Sequence, residues 1–154
     1  MLNNLLSIIP IILVLAVFAA GCCKSMSSVV VSGDSMFPVI ENGTDVIYES
    51  VSNNDIFYND VVVFEDKYGT EYIKTVIGLP GDIVKYDSNS IFVNDNEVEP
   101  LYYGTNGPSI EFMPNEVTVG RNEVFVVGCN FYNSIDSRIY GCVQMECIKG
   151  RVLK

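Results

Sequence analysis

The feature that most constrains this 154-residue chain is its N-terminal stretch, residues 1–23, which contains no charged side chain. Residues 5–22 are almost continuously apolar. As an α-helix rising about 1.5 Å per residue, they nearly span a hydrocarbon core of about 30 Å. A chain of this size has little apolar surface with which to enclose such a helix in a soluble core. We therefore predict an N-terminal membrane anchor over residues 1–24 and one folded domain over residues 25–154.

The apolar stretch also fits two kinds of export signal. Small residues at 19–21 are typical of a cleaved secretory signal, and Cys22 is a candidate lipid-carrying residue of a lipoprotein. Neither signal is supported by a Lys or Arg ahead of the apolar run, so a retained single-pass anchor is favoured. Lys24 is the only basic side chain nearby, which is too little charge to predict the orientation in the membrane.

Charge and composition exclude several classes of function. The chain has 9 Lys and Arg against 19 Asp and Glu, a net charge of -10, so we predict no nucleic-acid partner. Histidine is absent, which excludes Ser-His-Asp and Cys-His catalysis and His-ligated zinc. No pair of cysteines has the C-x-x-C spacing of a metal site, and we predict neither metal nor cofactor. Three cysteines beyond the anchor can form one disulfide with one thiol left over, and they are Cys129, Cys142 and Cys147.

Beyond Lys24 the sequence pattern predicts β-structure. Short apolar or alternating runs are separated by turn residues, and we find no convincing amphipathic helix. This pattern is typical of an antiparallel all-β barrel or sandwich. Residues 99–116 lack periodicity and are predicted to be a loop, while residues 80–82 and 94–96 are predicted turns. The predicted strands cover residues 29–31, 45–51, 60–65, 71–79, 83–86, 91–93, 97–98, 117–119, 124–127 and 148–153.

Without histidine, a buried lysine is the best candidate for a base that activates a nucleophile. Burial disfavours the ammonium form and leaves a free amine near neutral pH. Lys74 lies in the apolar run YIKTVI and is the best case. From strand alternation alone, however, a side chain that points to water is favoured.

Two polar segments complete the set of candidate site residues. Ser35 lies in SGDSMFP, where Gly33 permits a tight turn whose backbone N–H groups can bind an oxyanion. The second segment, GCNFYNSIDSR, follows an apolar strand and contains Asp136 and Arg138. Taken singly, the first could be an ordinary polar turn and the second a loop with an ion pair.

Together these segments resemble the type I signal peptidases, membrane-bound Ser-Lys proteases that remove signal peptides from exported proteins. SGDSMFP resembles the nucleophile box, YIKTVIGLPGD the lysine box and GCNFYNSIDSRIYG the third box of that family. YNDVVVF and IFVNDNEV resemble the strand before and the hairpin after the lysine box. Order and spacing fit from about residue 29 to residue 143.

The resemblance implies a role for each matched residue. Ser35 would be the nucleophile, Lys74 the general base, and Ser134 the hydroxyl that hydrogen-bonds and orients the lysine amine. Gly33 would belong to the oxyanion turn. Asp136 and Arg138 would form the scaffold of the site. The implied partners are precursor proteins with small residues before the cut and the lipid bilayer, with the catalytic domain, residues 25–154, on the extracytoplasmic face of the cell membrane.

Two departures from the family pattern occur together. Thr75 and Cys129 stand where the family usually has an Arg and an Asp that can form a salt bridge, and losing both leaves no unpaired charge. Phe131 replaces another usual Arg. The resemblance leaves three alternatives open: a dedicated peptidase for one exported substrate such as a pilin, a non-catalytic assembly factor, and a small acidic lipoprotein.

Overall fold

The computed structural model describes residues 24–87, 90–99 and 115–153. Within these ranges the chain forms eleven β-strands, three 3₁₀ helices and one four-residue α-helix, α1 (Ser137–Tyr140). The 3₁₀ helices are Asn53–Asp55, Phe131–Asn133 and Met145–Cys147. The strands are β1 (Met26–Val30), β2 (Asp45–Glu49), β3 (Val61–Glu65), β4 (Glu71–Gly78), β5 (Ile83–Tyr86), β6 (Ile91–Val93), β7 (Asn96–Glu97), β8 (Asn115–Thr118), β9 (Glu123–Val127), β10 (Val143–Gln144) and β11 (Ile148–Val152).

The strands form two antiparallel sheets that make a curled half-barrel. The larger sheet has the order β1-β2-β11-β3-β4-β9-β10, and the smaller sheet has the order β7-β6-β5-β8. β4 lies inside the larger sheet between β3 and β9, with Val62 opposite Lys74 and Val127 opposite Thr75. The predicted mainly β, antiparallel fold is confirmed.

The central strands are buried on both faces, which explains their continuous apolar sequences. On β9, Phe125 and Val127 belong to one apolar cluster, whereas Val124 and Val126 belong to another. A strand covered on both sides does not need polar residues at alternate positions. A third apolar cluster contains Met36, so it anchors the segment after β1 to the sheet.

The predicted turns form where the sequence places them. β6 and β7 are joined by Asn94 and Asp95, which both have positive φ angles of 51° and 64°, as a two-residue type I′ hairpin requires. After β4, the Asp82 carboxylate accepts hydrogen bonds from Leu79 N at 2.6 Å and from the Tyr58 hydroxyl at 2.7 Å. Burial opposes ionisation of Asp82, but its hydrogen bonds outweigh burial and lower its pKa. Asp82 therefore closes this turn by accepting hydrogen bonds.

Short elements differ from the sequence-based expectation. β8 begins at Asn115, inside the predicted loop, and its first two residues are exposed and polar where they pair with β5. β10 has two residues and α1 has four, which is too short for either to show a periodic pattern. α1 is instead set by its ends, since Asp136 caps it and Gly141, with φ of 83°, ends it.

The predicted membrane anchor falls outside the described residues except for Lys24, and so does most of the predicted loop. Across the ranges that the structure does describe, no helix is long and apolar enough to cross a membrane.

Candidate active site

Ser35 lies on a tight turn that follows β1. Gly33 precedes it with φ of 94°, a backbone conformation that favours glycine, and its N–H donates to Asn42 Oδ1 at 3.0 Å. Phe37 N donates to Asp34 O at 3.1 Å and closes the turn. Next to Ser35, the Met36 side chain is 1% exposed and fixes the turn to the core. Ser35 is thereby presented, half-buried, at the surface of the sheet.

Lys74 projects from β4 to this turn. Its Nζ donates to Ser35 Oγ at 2.8 Å and to Ile73 O at 3.0 Å. The residue is 4% exposed, so the alternative that it points to water is wrong. Burial lowers the pKa of the Lys74 amine from 10.5 to about 8, while the charges of Asp136 and of ionised Cys129 act in the opposite direction. A useful fraction of the amine is therefore free to accept a proton at weakly alkaline pH.

A buried ion pair shapes the loop that follows β9. Arg138 and Asp136 meet at 2.8 Å with both side chains fully buried. Asp136 also accepts from Gly128 N at 3.0 Å, and Arg138 donates to Phe131 O at 2.7 Å. The guanidinium lies 4.2 Å from the centre of the Phe131 ring, a cation–π distance. The pair therefore ties the end of β9 to α1 from within.

Ser134 is buried beside Ser35 without forming the expected hydrogen bond to Lys74. It is 1% exposed, and among the described residues its Oγ has no hydrogen-bond partner. Ser134 and the Ser35 carbonyl pack closely against the backbone of residue 128 because that residue is a glycine. A Cβ on Gly128 would collide with Ser134 Oγ and lie 2.5 Å from Ser35 O. Ser134 is thus at the site, with its hydroxyl unengaged in this structure.

The two departures from the family pattern contact each other. Thr75 Oγ1 and Cys129 Sγ lie 3.4 Å apart, a weak neutral link across β4 and the end of β9. Burial raises the pKa of the Cys129 thiol, although Thr75 and Lys74 oppose this. Cys129, Cys142 and Cys147 are all free thiols, so the possible disulfide among them is not formed.

Sequence reasoning missed the contribution of Asn130, which binds the turn that carries Ser35. Asn130 N donates to Ser35 O at 3.0 Å, and its Nδ2 donates to Asp34 O at 3.1 Å. It is 5% exposed. The available signal was an amide side chain three residues after an apolar strand, in the same segment as Ser134.

A groove of about 330 Å³ runs past the side chains of Ser35 and Lys74. One wall is the end of β1 and the Ser35 turn, and the other is the first half of β4 with Asn133 and Ile135. Ser35 and Lys74 both line it, so an extended peptide in the groove would pass its backbone by the hydroxyl. In the described ranges, no group of three or more His, Cys, Asp or Glu side chains is placed to hold a metal ion.

Comparisons with known proteins match this chain to signal peptidases. Residues 2–153 match the family model described as signal peptidase, peptidase S26. The chain is 32% identical over 139 residues to signal peptidase I of Bacillus caldolyticus, covering 82% of this chain and 76% of the relative. It is 32% identical over 133 residues to signal peptidase I V of Bacillus subtilis (strain 168), covering 78% and 79%.

A more distant relative and a solved structure agree. Signal peptidase IB of Staphylococcus aureus (strain COL) is 28% identical over 139 residues, covering 79% of this chain and 73% of the relative. The fold is similar to the crystal structure of a signal peptidase I from Enterococcus faecalis V583, with a TM-score of 0.53 and 24% identity. That match covers 65% of this chain and 97% of the other.

Proposed function

This chain belongs to the signal peptidase family, peptidase S26, and we propose that it is a membrane-bound Ser-Lys endopeptidase that removes signal peptides from exported precursor proteins. The observation that carries the proposal is the 2.8 Å hydrogen bond between Lys74 Nζ and Ser35 Oγ. In a chain without histidine, a buried amine with a pKa of about 8 is a base suited to activating a serine hydroxyl.

The reaction is an acyl transfer in two steps. Ser35 Oγ attacks the scissile carbonyl carbon while the neutral Lys74 amine takes the hydroxyl proton. The tetrahedral intermediate collapses as the resulting ammonium gives that proton to the departing amine, and the C–N bond breaks. Lys74 then takes a proton from water, which attacks the ester, and it returns the proton to Ser35 as the acid product leaves.

Other residues would support these steps. The Ser35 backbone N–H, on the turn that Gly33 permits, would donate to the oxyanion. Ser134, buried close to Ser35, would orient the Lys74 amine once substrate is bound. The Asp136–Arg138 ion pair would hold the loop that carries Ser134, without taking part in proton transfer.

The substrates would be precursors with small side chains, often alanine, at the first and third positions before the cut. This preference is what membership of the family implies, and small pockets would enforce it by excluding large side chains. The charge-free residues 1–23 would hold the enzyme in the cell membrane as a single-pass anchor, with the catalytic domain on the extracytoplasmic face.

The test is cleavage of a precursor carrying an Ala-X-Ala site by the purified full chain in detergent. We expect one cut after the second alanine, identified by N-terminal sequencing of the product. Ser35→Ala and Lys74→Met should reduce cleavage to background. Ser52→Ala and Lys67→Met, which change an exposed serine and an exposed lysine outside the groove, should leave the rate unchanged.

Two outcomes would overturn parts of the proposal. Cleavage that persists in Ser35→Ala would remove the nucleophile assignment. A folded parent that cuts no general precursor would reject the broad role and favour a dedicated processing peptidase or an assembly factor. A precursor with leucine in place of the last alanine is the specificity control, because a small pocket should reject it by about 10–200-fold.

A further inference from the structure

The backbone on both sides of Ser35 is held by one buried residue, Asn130. Its Nδ2 donates to Asp34 O at 3.1 Å, and its own N–H donates to Ser35 O at 3.0 Å. The two acceptors belong to the peptide units before and after Ser35. Asn130 follows β9 by three residues and caps the 3₁₀ helix Phe131–Asn133, where its carbonyl accepts from Asn133 N at 3.0 Å.

The first of these bonds controls the direction of the Ser35 N–H. The carbonyl of Asp34 and the N–H of Ser35 belong to the same planar unit, and in a trans peptide they point in opposite directions. Anchoring the Asp34 carbonyl therefore aims the Ser35 N–H away from Asn130. Among the residues that the structure describes, this N–H donates to no protein acceptor.

The turn's own hydrogen bonding does not replace this anchor. Phe37 N also donates to Asp34 O at 3.1 Å, but that bond lies within the turn and moves with it. Gly33 has no side chain to hold the turn from the other side. Asn130 links the turn to β9, which pairs with β4 and so with the strand that carries Lys74.

We infer that Asn130 is a positioning residue that aims the Ser35 backbone N–H at the carbonyl oxygen of the scissile bond. The inference rests on the proposed function, in which that N–H binds the oxyanion. Hydrogen-bond donors of this kind act mainly on the transition state, so a misaimed donor lowers kcat and leaves KM nearly unchanged. Lys74 is a separate group, and its titration should not depend on Asn130.

The experiment compares Asn130→Ala with Asn122→Ala, an exposed asparagine just before β9, in the full chain. We expect kcat for precursor cleavage to fall about 10–100-fold in Asn130→Ala, with KM within about threefold and the pH midpoint unchanged. Asn122→Ala should match the parent. Asn130→Leu, which keeps the side-chain volume and removes the amide, is the second variant in case the alanine variant does not fold.

A spectroscopic readout separates this inference from the proposed function. In protein labelled with ¹⁵N-serine, the Ser35 amide resonance is assigned by its loss in Ser35→Ala. It should shift or broaden in Asn130→Ala or Asn130→Leu and stay in place in Asn122→Ala. A folded variant with an unmoved Ser35 resonance would overturn the inference, as would unchanged kcat. A parent that cleaves nothing would reject the proposed function, and the resonance would still decide whether Asn130 positions the turn.

Discussion

Replacing Lys74 with methionine should make the protein more stable while abolishing its activity. The fall in the pKa of Lys74 from 10.5 to about 8 means that the folded state disfavours the ammonium. Each pKa unit is worth about 1.4 kcal/mol, so the cost is about 3 kcal/mol at neutral pH. Methionine keeps most of the volume but loses the hydrogen bonds to Ser35 and Ile73, worth about 1–2 kcal/mol together. We therefore expect a net gain of about 1–2 kcal/mol at pH 7.

The pH dependence of this gain identifies its cause. Below pH 8 the Lys74 amine is protonated in both the folded and the unfolded state, so the folded parent bears the full cost of burying the ammonium. Between pH 8 and 10.5 Lys74 is protonated only in the unfolded state. The folded parent no longer buries a charge there, so it becomes more stable relative to the variant as the pH rises. The advantage of Lys74→Met should therefore shrink by about 1.4 kcal/mol per pH unit above pH 8 and reverse at about pH 9–9.5.

The assay is denaturant unfolding of the full chain in detergent, followed by circular dichroism from pH 7 to 10.5. Lys67→Met, at an exposed turn, is the matched control and should stay within about 0.5 kcal/mol of the parent throughout. A Lys74→Met variant less stable than the parent at pH 7, or a stability difference that does not change with pH, would refute the reasoning.

Three further substitutions test the surroundings of the site. Asp136→Asn leaves the buried Arg138 without its carboxylate partner. We expect the free energy of unfolding, measured with heat or denaturant, to fall by about 3–5 kcal/mol. An unchanged free energy of unfolding would show that the ion pair does not hold the loop. Gly128→Ala places a methyl group against Ser134 Oγ and the turn that carries Ser35. Precursor cleavage should therefore fall at least about tenfold, and the free energy of unfolding by about 1–3 kcal/mol. A fully active variant would contradict this packing. Asp82→Asn should cost about 1–3 kcal/mol at neutral pH. Because the folded-state pKa of Asp82 is lowered, its contribution is lost on acidification, and the difference between parent and variant should narrow below pH 3.8.

The β-architecture could be predicted from local sequence, whereas Lys74 and Ser35 were candidates by elimination whose roles came from the family resemblance. Turn residues at 80–82 and 94–96 fix where strands end, and the strands between them are apolar. The absence of histidine leaves few side chains that can act as a base. Lys74 is singled out because it lies in an apolar run rather than beside a turn.

The burial of Lys74 could not be predicted, because strand alternation does not tell which faces of a sheet are covered. Its environment is supplied by a turn at Ser35, 39 positions away, and by a loop that follows another strand. The contact of Thr75 with Cys129 spans 54 positions. Such contacts depend on strand order, and no local pattern encodes strand order.

The roles of Asn130 and Gly128 were missed for a related reason. An asparagine after a strand is usually an ordinary turn residue, and a glycine there usually marks a bend. Here Asn130 holds the backbone of a turn 96 positions earlier in the chain. Gly128 is needed because Ser134 and the Ser35 carbonyl occupy the space of its missing side chain.

The most direct test of the central claim is the pH profile of kcat/KM for precursor cleavage, measured from pH 6 to 10 with a substrate that does not titrate in that range. Because kcat/KM reports the ionisation of the free enzyme, a Lys74 base predicts a tenfold rise per pH unit below about 8 and a plateau above it. A profile that is flat from pH 6 to 10, or that falls as the pH rises through 8, would show that Lys74 does not take the proton from Ser35.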